Sequence, residues 1–333
     1  MISVDSLAAG PLFGLPLPEL WFGLVFTMLA TFLFFDGFDF GAGAIFALLE
    51  TDDERETVLA AIGPFWDGNE VWLVVFGGAL FAAFPPAYAG LFSRHYLLMF
   101  GILGALILRG LAPEMYEQRH DAAWQRWWGR AFVAGSVLAP FLLGVFAGNW
   151  LVGATRSLTL VGLIVGVTLT LLTVVSGAAF LQLKGQAQLP DSVTTYGSAA
   201  TAGYLLAVVA TLGVLGIRLP DGLSALLSPA IVALVMLSIG LAVGYTVALR
   251  REQSLRALGA AAAMTYGLVA VVARLMYPAI DPATGTTVRG AIVSTLPLNL
   301  MTIGASLLLP LVAVYFVVLY SAFSGPITPE EAY

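Results

Sequence analysis

Long apolar runs, each closed by a short polar connection, repeat along the whole chain and set its architecture. A helix needs about 20 predominantly apolar residues to cross the hydrocarbon core of a bilayer. Nine stretches meet that template, at roughly 20–48, 58–84, 95–112, 131–152, 157–183, 197–217, 224–249, 257–277 and 299–323. The second contains Pro64 and ends at Pro85 and Pro86, residues that interrupt a helix. An eight-span count follows if 95–112 is folded into it. The pattern predicts an all-α, polytopic integral membrane protein forming a single transmembrane domain over 1–333.

Composition narrows the picture further. Hydrophobic residues make up 59% of the 333 and charged ones 10%, against about 25% charged in average soluble domains. No polar run is long enough for a separate soluble domain. The formal charge of −6 disfavours nucleic acid as a partner. With 0 Cys, disulfides, iron–sulfur clusters and thiolate metal sites are excluded. The first 20 residues lack a basic n-region, so 20–49 reads as an uncleaved first span and not as a signal peptide.

Lysine and arginine gather on the cytoplasmic side of membrane proteins. Connections after the first, third, fifth and seventh spans carry Arg55; Arg109, Arg119, Arg126 and Arg130; Lys184; and Arg250, Arg251 and Arg256, nine of the 14 basic residues. The opposite side has five: Arg94, Arg156, Arg218, Arg274 and Arg289. The amino terminus is therefore expected outside and the carboxyl terminus in the cytoplasm. Trp124, Trp127 and Trp128, set among Arg119, Arg126 and Arg130, read as an interfacial anchor. Gly37 with Gly41, Gly101 with Gly104 and Ala200 with Gly203 read as helix-packing positions.

Three polar constellations stand out against this apolar background. In FFDGFDFGAG, Asp36 and Asp39 are three apart and share a face of the first helix. Counted at ~1.5 Å per residue from Leu20, they lie ~24–29 Å along it, near the cytoplasmic boundary. They read equally as a pair that reaches water or caps a neighbour and as part of a proton or ion path. In GPFWDGNEVWL, Asp67 and Glu70 share a face, as do Trp66 and Glu70, with Asn69 beside them. An acid at the middle of a membrane helix costs about 2.5–3.5 kcal/mol on insertion scales, so two acids and an amide within four residues need partners, water or protonation. Four carboxylates in one half of a two-helix unit perturb each other's protonation, and groups poised between charged and neutral serve a proton relay. The alternative is a buried network that fixes helix packing. The third constellation, Arg109 with Glu114 and Glu117 around Pro113, reads as a structural pair at a helix end. Asn149, Asn299 and Gln182 with Lys184 read as helix-end hydrogen-bonding groups.

Haem in a helix bundle takes axial His, Met or Cys ligands. The chain has 2 His, His95 and His120, on opposite faces of the predicted membrane, so they do not ligate one iron together. A His–Met pair using one of the 8 Met stays open. No Gly-rich phosphate loop and no nucleophile constellation is present. The residues alone describe an acid-lined bundle with no evident redox centre.

The motifs DGFDFGAG (36–43), GPFWDGNEVWL (63–73), GGALFAAFPPAYA (77–89), LRGLAPEM (108–115) and GAAFLQLK (177–184) carry a resemblance along most of the chain. It resembles subunit II of cytochrome bd-type quinol oxidases, including the cyanide-insensitive branch. That resemblance implies about nine helices arranged as two four-helix bundles plus one peripheral helix, in a bacterial or archaeal cytoplasmic membrane. It implies a partner, subunit I, that carries haem b558, haem b595, haem d and the quinol-oxidising and oxygen-reducing sites. No catalytic residue or metal is then expected in this chain. It leaves room for a structural quinone, with no residue to place it, and for a small accessory single-span subunit. The implied roles are stabilising the haem subunit and admitting cytoplasmic protons at Asp67. Glu70 and Asn69 would be its hydrogen-bonding neighbours, Trp66 would pack at the subunit contact, and Asp36 and Asp39 would extend the path or lock the first two helices together. A secondary transporter with an acidic coupling-ion site is the alternative from another class.

Overall fold

The computed structural model describes residues 4–185, 188–219, 222–323 and 325. Helices follow one another almost without interruption: α1 (Val4–Ala9), α2 (Leu17–Phe46), α3 (Asp52–Ile62), α4 (Trp66–Ala83), α5 (Pro85–Arg94), α6 (Tyr96–Glu117) and α7 (Ala122–Leu151). Then come α8 (Leu160–Gly185), α9 (Ser192–Arg218), α10 (Gly222–Leu226), α11 (Pro229–Arg250), α12 (Ser254–Met276) and α13 (Thr295–Ala322). A short antiparallel hairpin, β1 (Ala279–Asp281) and β2 (Thr286–Thr287), lies between α12 and α13.

Local sequence explains the boundaries. Pro18 sits in the first turn of α2, where a missing N–H leaves no bond unmade. Thr51 and Glu54 close a reciprocal capping box that starts α3, with Glu54 N–H on Thr51 Oγ1 at 3.2 Å. Asp121 caps α7 through the Trp124 N–H at 3.1 Å.

The stretch 58–84, expected as one span, forms two helices. The chain breaks at Gly63, Pro64 and Phe65, so α3 ends before the polar string and α4 begins with it. The third span was expected to end at 112, before Pro113, but α6 runs on to Glu117 with Pro113 inside it; membrane helices tolerate proline where neighbours re-satisfy the freed backbone groups. The fourth was expected from 131, yet α7 starts at Ala122 and takes in the tryptophans. Among the described residues, eight helices are long and apolar enough to cross a membrane. α4, 18 residues and hence ~27 Å long, opens with a polar turn and is not among those eight.

α2, α4, α6 and α7 make one four-helix bundle, and α8, α9, α11 and α12 make the other. They join where α2 and α7 pack on α8 and where α12 packs on α2. α13 is peripheral: it touches α1, α2 and α4 and leaves most of its surface open. Close approach at the junction depends on absent side chains. A Cβ on Gly177 of α8 would stand 2.7 Å from the Gly41 Cα of α2, and one on Gly144 of α7 would stand 2.6 Å from the Gly166 Cα of α8. Gly37 likewise faces Thr173 across the same seam, whereas the expected packing position Gly104 meets open space. Asn299 ties α1 to α13, accepting from Leu12 N–H at 2.8 Å and donating to Leu7 O at 2.8 Å. Asn149 accepts from Thr159 Oγ1 at 2.6 Å, and Gln182 donates to Leu249 O at 2.9 Å.

Candidate functional site: a buried guanidinium among three carboxylates

The i, i+3 spacing of Asp36 and Asp39 puts both on one face of α2, where Asn69 of α4 and the Arg109 side chain of α6 reach them. Both carboxylates are 0% exposed. They are sealed from solvent and pair with neighbouring helices. Opposite them, Arg109 projects from α6 and is also fully enclosed. Its Nη2 pairs with Asp36 Oδ1 and lies 3.5 Å from Asp39 Oδ2, while Nη1 lies 3.4 Å from Glu70 Oε2 of α4. A plane of five N–H donors suits such a junction better than an ammonium would. Arg109 is thus no loop charge. Without it, the basic count on its side is eight against five, and the bias keeps its sign.

Two aromatic rings flank the guanidinium, Phe40 at 5.0 Å and Trp66 at 5.6 Å from Cζ. Trp66, expected at a subunit contact, therefore lies over Arg109 within this chain and packs against Gly110, where a Cβ would meet its ring at 3.2 Å. Asn69 is buried and donates to Asp39 Oδ2 at 2.9 Å and to Phe35 O at 3.3 Å. Its own oxygen accepts from the Tyr320 hydroxyl of α13 at 2.9 Å. One oxygen of each aspartate and the Arg109 Nε have no partner atom among the described residues.

The four expected acids do not form one buried group. Asp36, Asp39 and Glu70 meet at Arg109; Glu70 is 31% exposed and is the member nearest the surface. Asp67, one turn earlier on α4, is exposed and makes no hydrogen bond to the described residues. Glu114, expected beside Arg109, is exposed and stands apart from it. Tyr320 is the residue the sequence did not single out, because a tyrosine near the end of a span reads as an interfacial anchor.

At the other end of the bundles, Arg94 of α5 pairs with Asp281 of β1, and Trp150 Nε1 donates to Ile280 O at 2.8 Å. His95 is buried beside them, its ring 6.1 Å from that of Phe146. Burial, and next the neighbouring Arg94 charge, hold the His95 pKa below its usual value. His120 lies exposed in the connection between α6 and α7. Among the described residues no group of three or more His, Cys, Asp or Glu could hold a metal ion.

A family model described as cytochrome bd terminal oxidase subunit II matches residues 17–323. The chain belongs to the cytochrome bd terminal oxidase subunit II family. It is 30% identical over 332 residues to cytochrome bd ubiquinol oxidase subunit 2 of Bacillus subtilis, covering 95% of this chain and 98% of that protein. It is 34% identical over 182 residues to cytochrome bd-I ubiquinol oxidase subunit 2 of Escherichia coli, an alignment covering 50% of this chain and 48% of that one. The bd oxidase structure from Geobacillus thermodenitrificans superposes with a TM-score of 0.77 at 15% identity, over 92% of this chain and 98% of that chain; this likeness shows the fold. As a bd oxidase subunit II, the protein is a membrane-embedded component of an oxidoreductase complex. That membership displaces the transporter reading.

Proposed function

We propose that this subunit II stabilises a haem-bearing subunit I of a quinol oxidase and leads cytoplasmic protons toward it for the reduction of oxygen to water. Haem b558, haem b595 and haem d belong to subunit I in this reading, and this chain contributes no ligand to them. The amino terminus lies outside and the carboxyl terminus in the cytoplasm of a bacterial membrane. The polar start of α4, the end of α2 and the cluster at Arg109 then all lie in the cytoplasmic half.

The observation that carries the proton reading is the imbalance at Arg109. Three carboxylates surround one guanidinium, two of them 0% exposed. Fully ionised, the group would hold surplus negative charge in a low-dielectric interior, and each bound proton removes one unit of it. Asp67 stands one turn from Glu70 at the surface, Glu70 is half-buried, and Asp36 and Asp39 are sealed. That ordering runs from a group open to exchange with solvent to groups that hold charge out of it. Asn69, shared between Asp39 and Tyr320, keeps α2, α4 and α13 in register around it.

Asp67→Asn preserves the shape of the side chain and removes its titration. In the purified complex, quinol oxidation coupled to proton uptake is expected to fall about tenfold, a barrier change of roughly 1.4 kcal/mol, with haem content unchanged. Unaltered turnover and uptake would refute a role for Asp67 in admitting protons.

A further inference from the structure

A pocket of about 670 Å³ opens where α2 ends and α7 begins, and the reading above does not use it. Its polar wall carries Arg55, Gln125, Arg126 and Arg130, and its deeper wall carries Val133 and Ala134. Asp52 is the one acid among the lining residues, and Arg55 already pairs with it at 2.9 Å and donates to Leu49 O. The Arg126 Nε is bound to Ala122 O at 2.9 Å, which orients the side chain and leaves its two terminal nitrogens free for another acceptor. Arg130, one turn further along α7, is exposed and has no acceptor among the described residues. The wall therefore presents two uncompensated guanidinium groups on one helix face.

The position of these charges selects among anions. Trp127, 73% exposed, stands between them on α7 at the level where tryptophans mark the edge of the bilayer. Beyond the arginines the pocket continues along Val133 and Ala134 into the spanning part of the helix. Gly129 is buried and lets Phe46 and Tyr116 close the floor, since a Cβ there would stand 3.2 Å from the Phe46 ring. A free phosphate would use the charged rim and leave the apolar extension empty, whereas a phospholipid uses both. We infer that this pocket is a headgroup site for an anionic phospholipid, with Arg126 and Arg130 on its phosphodiester and an acyl chain along Val133 and Ala134. Guanidinium donors match phosphate oxygens in pairs, and basic pockets between spanning helices are where such headgroups settle.

Native mass spectrometry of the assembled, delipidated oxidase complex tests this with palmitoyl-oleoyl phosphatidylglycerol as the probe and the matching phosphatidylcholine, whose choline cation cancels the phosphodiester charge, as the net-neutral control. Phosphatidylglycerol adducts are expected to fall about tenfold in Arg126→Gln/Arg130→Gln. Arg250→Gln/Arg251→Gln removes two exposed arginines from the same end outside the pocket, and should retain adducts at the wild-type level. Ala134→Trp fills the apolar extension while leaving both charges in place, and should reduce adducts as well. Equal adducts in wild type and Arg126→Gln/Arg130→Gln would overturn the site. Competition by inorganic phosphate as strong as by phosphatidylglycerol, or full retention in Ala134→Trp, would overturn its assignment to a lipid.

Discussion

Two arginines, one half-buried and one sealed, meet acids in different parts of this molecule, and they do so on opposite terms. Arg94 meets Asp281 one to one, at the end where β1 and β2 fold over the bundles, and solvent still reaches 19% of its side chain. Arg109 meets Asp36, Asp39 and Glu70 inside the first bundle with 2% exposed. The first arrangement neutralises itself and acts as a clamp. The second leaves carboxylates in excess, so its charge depends on how many protons it binds. The same residue type thus meets a single matching acid in one place and an excess of acids in the other, and stoichiometry and enclosure make the difference.

The comparison breaks most sharply at Arg109. Arg109→Met leaves three carboxylates facing one another without a cation, and removing one member of a buried ionic group costs about 3–5 kcal/mol. The expected outcome is loss of the assembled complex from membranes, measured by co-purification with the haem subunit. Asp281→Asn should be milder. It leaves Arg94 partly hydrated, and the loss expected for a charge-assisted hydrogen bond is about 1–3 kcal/mol, read as a lower melting temperature with turnover retained. His95 sharpens the picture of that same end with a still smaller effect. Because burial disfavours its charged form, its contribution is present above the unfolded value of about 6.5 and is lost as pH falls below it. The melting temperature of the complex should therefore drop between about pH 7 and pH 5.5, and His95→Asn should flatten that slope.

Much of this was legible along the chain, for physical reasons. Spans of apolar residues and the three-residue spacing of acids are local patterns, so the all-α membrane fold and the shared face of Asp36 and Asp39 could be read directly. Partners distant in sequence could not. Arg109 was placed with Glu114 and Glu117 because they are near in sequence, yet burial on the α2 side of α6 pairs it with acids 39 and 73 positions away. Those glutamates lie past Pro113 on the exposed end of the helix. Asp67 and Glu70 share a helical face by spacing, but the edge of the bundle passes between them, leaving one exposed and the other half-buried. The break at 63–65 was visible only as Pro64, which signals an interruption without fixing its side. Tyr320 carried no signal at all, since its contact with Asn69 spans 251 residues.

The central claim is that the group around Arg109 holds protons and exchanges them. Infrared difference spectroscopy of the assembled complex in H2O and D2O tests it directly, through the carbonyl stretch of protonated carboxyl groups. The account predicts such a band at neutral pH, shifting in D2O and lost or diminished in at least one of Asp36→Asn, Asp39→Asn and Glu70→Gln. A band unchanged in all three variants would mean that the three carboxylates are permanently ionised, and would contradict it.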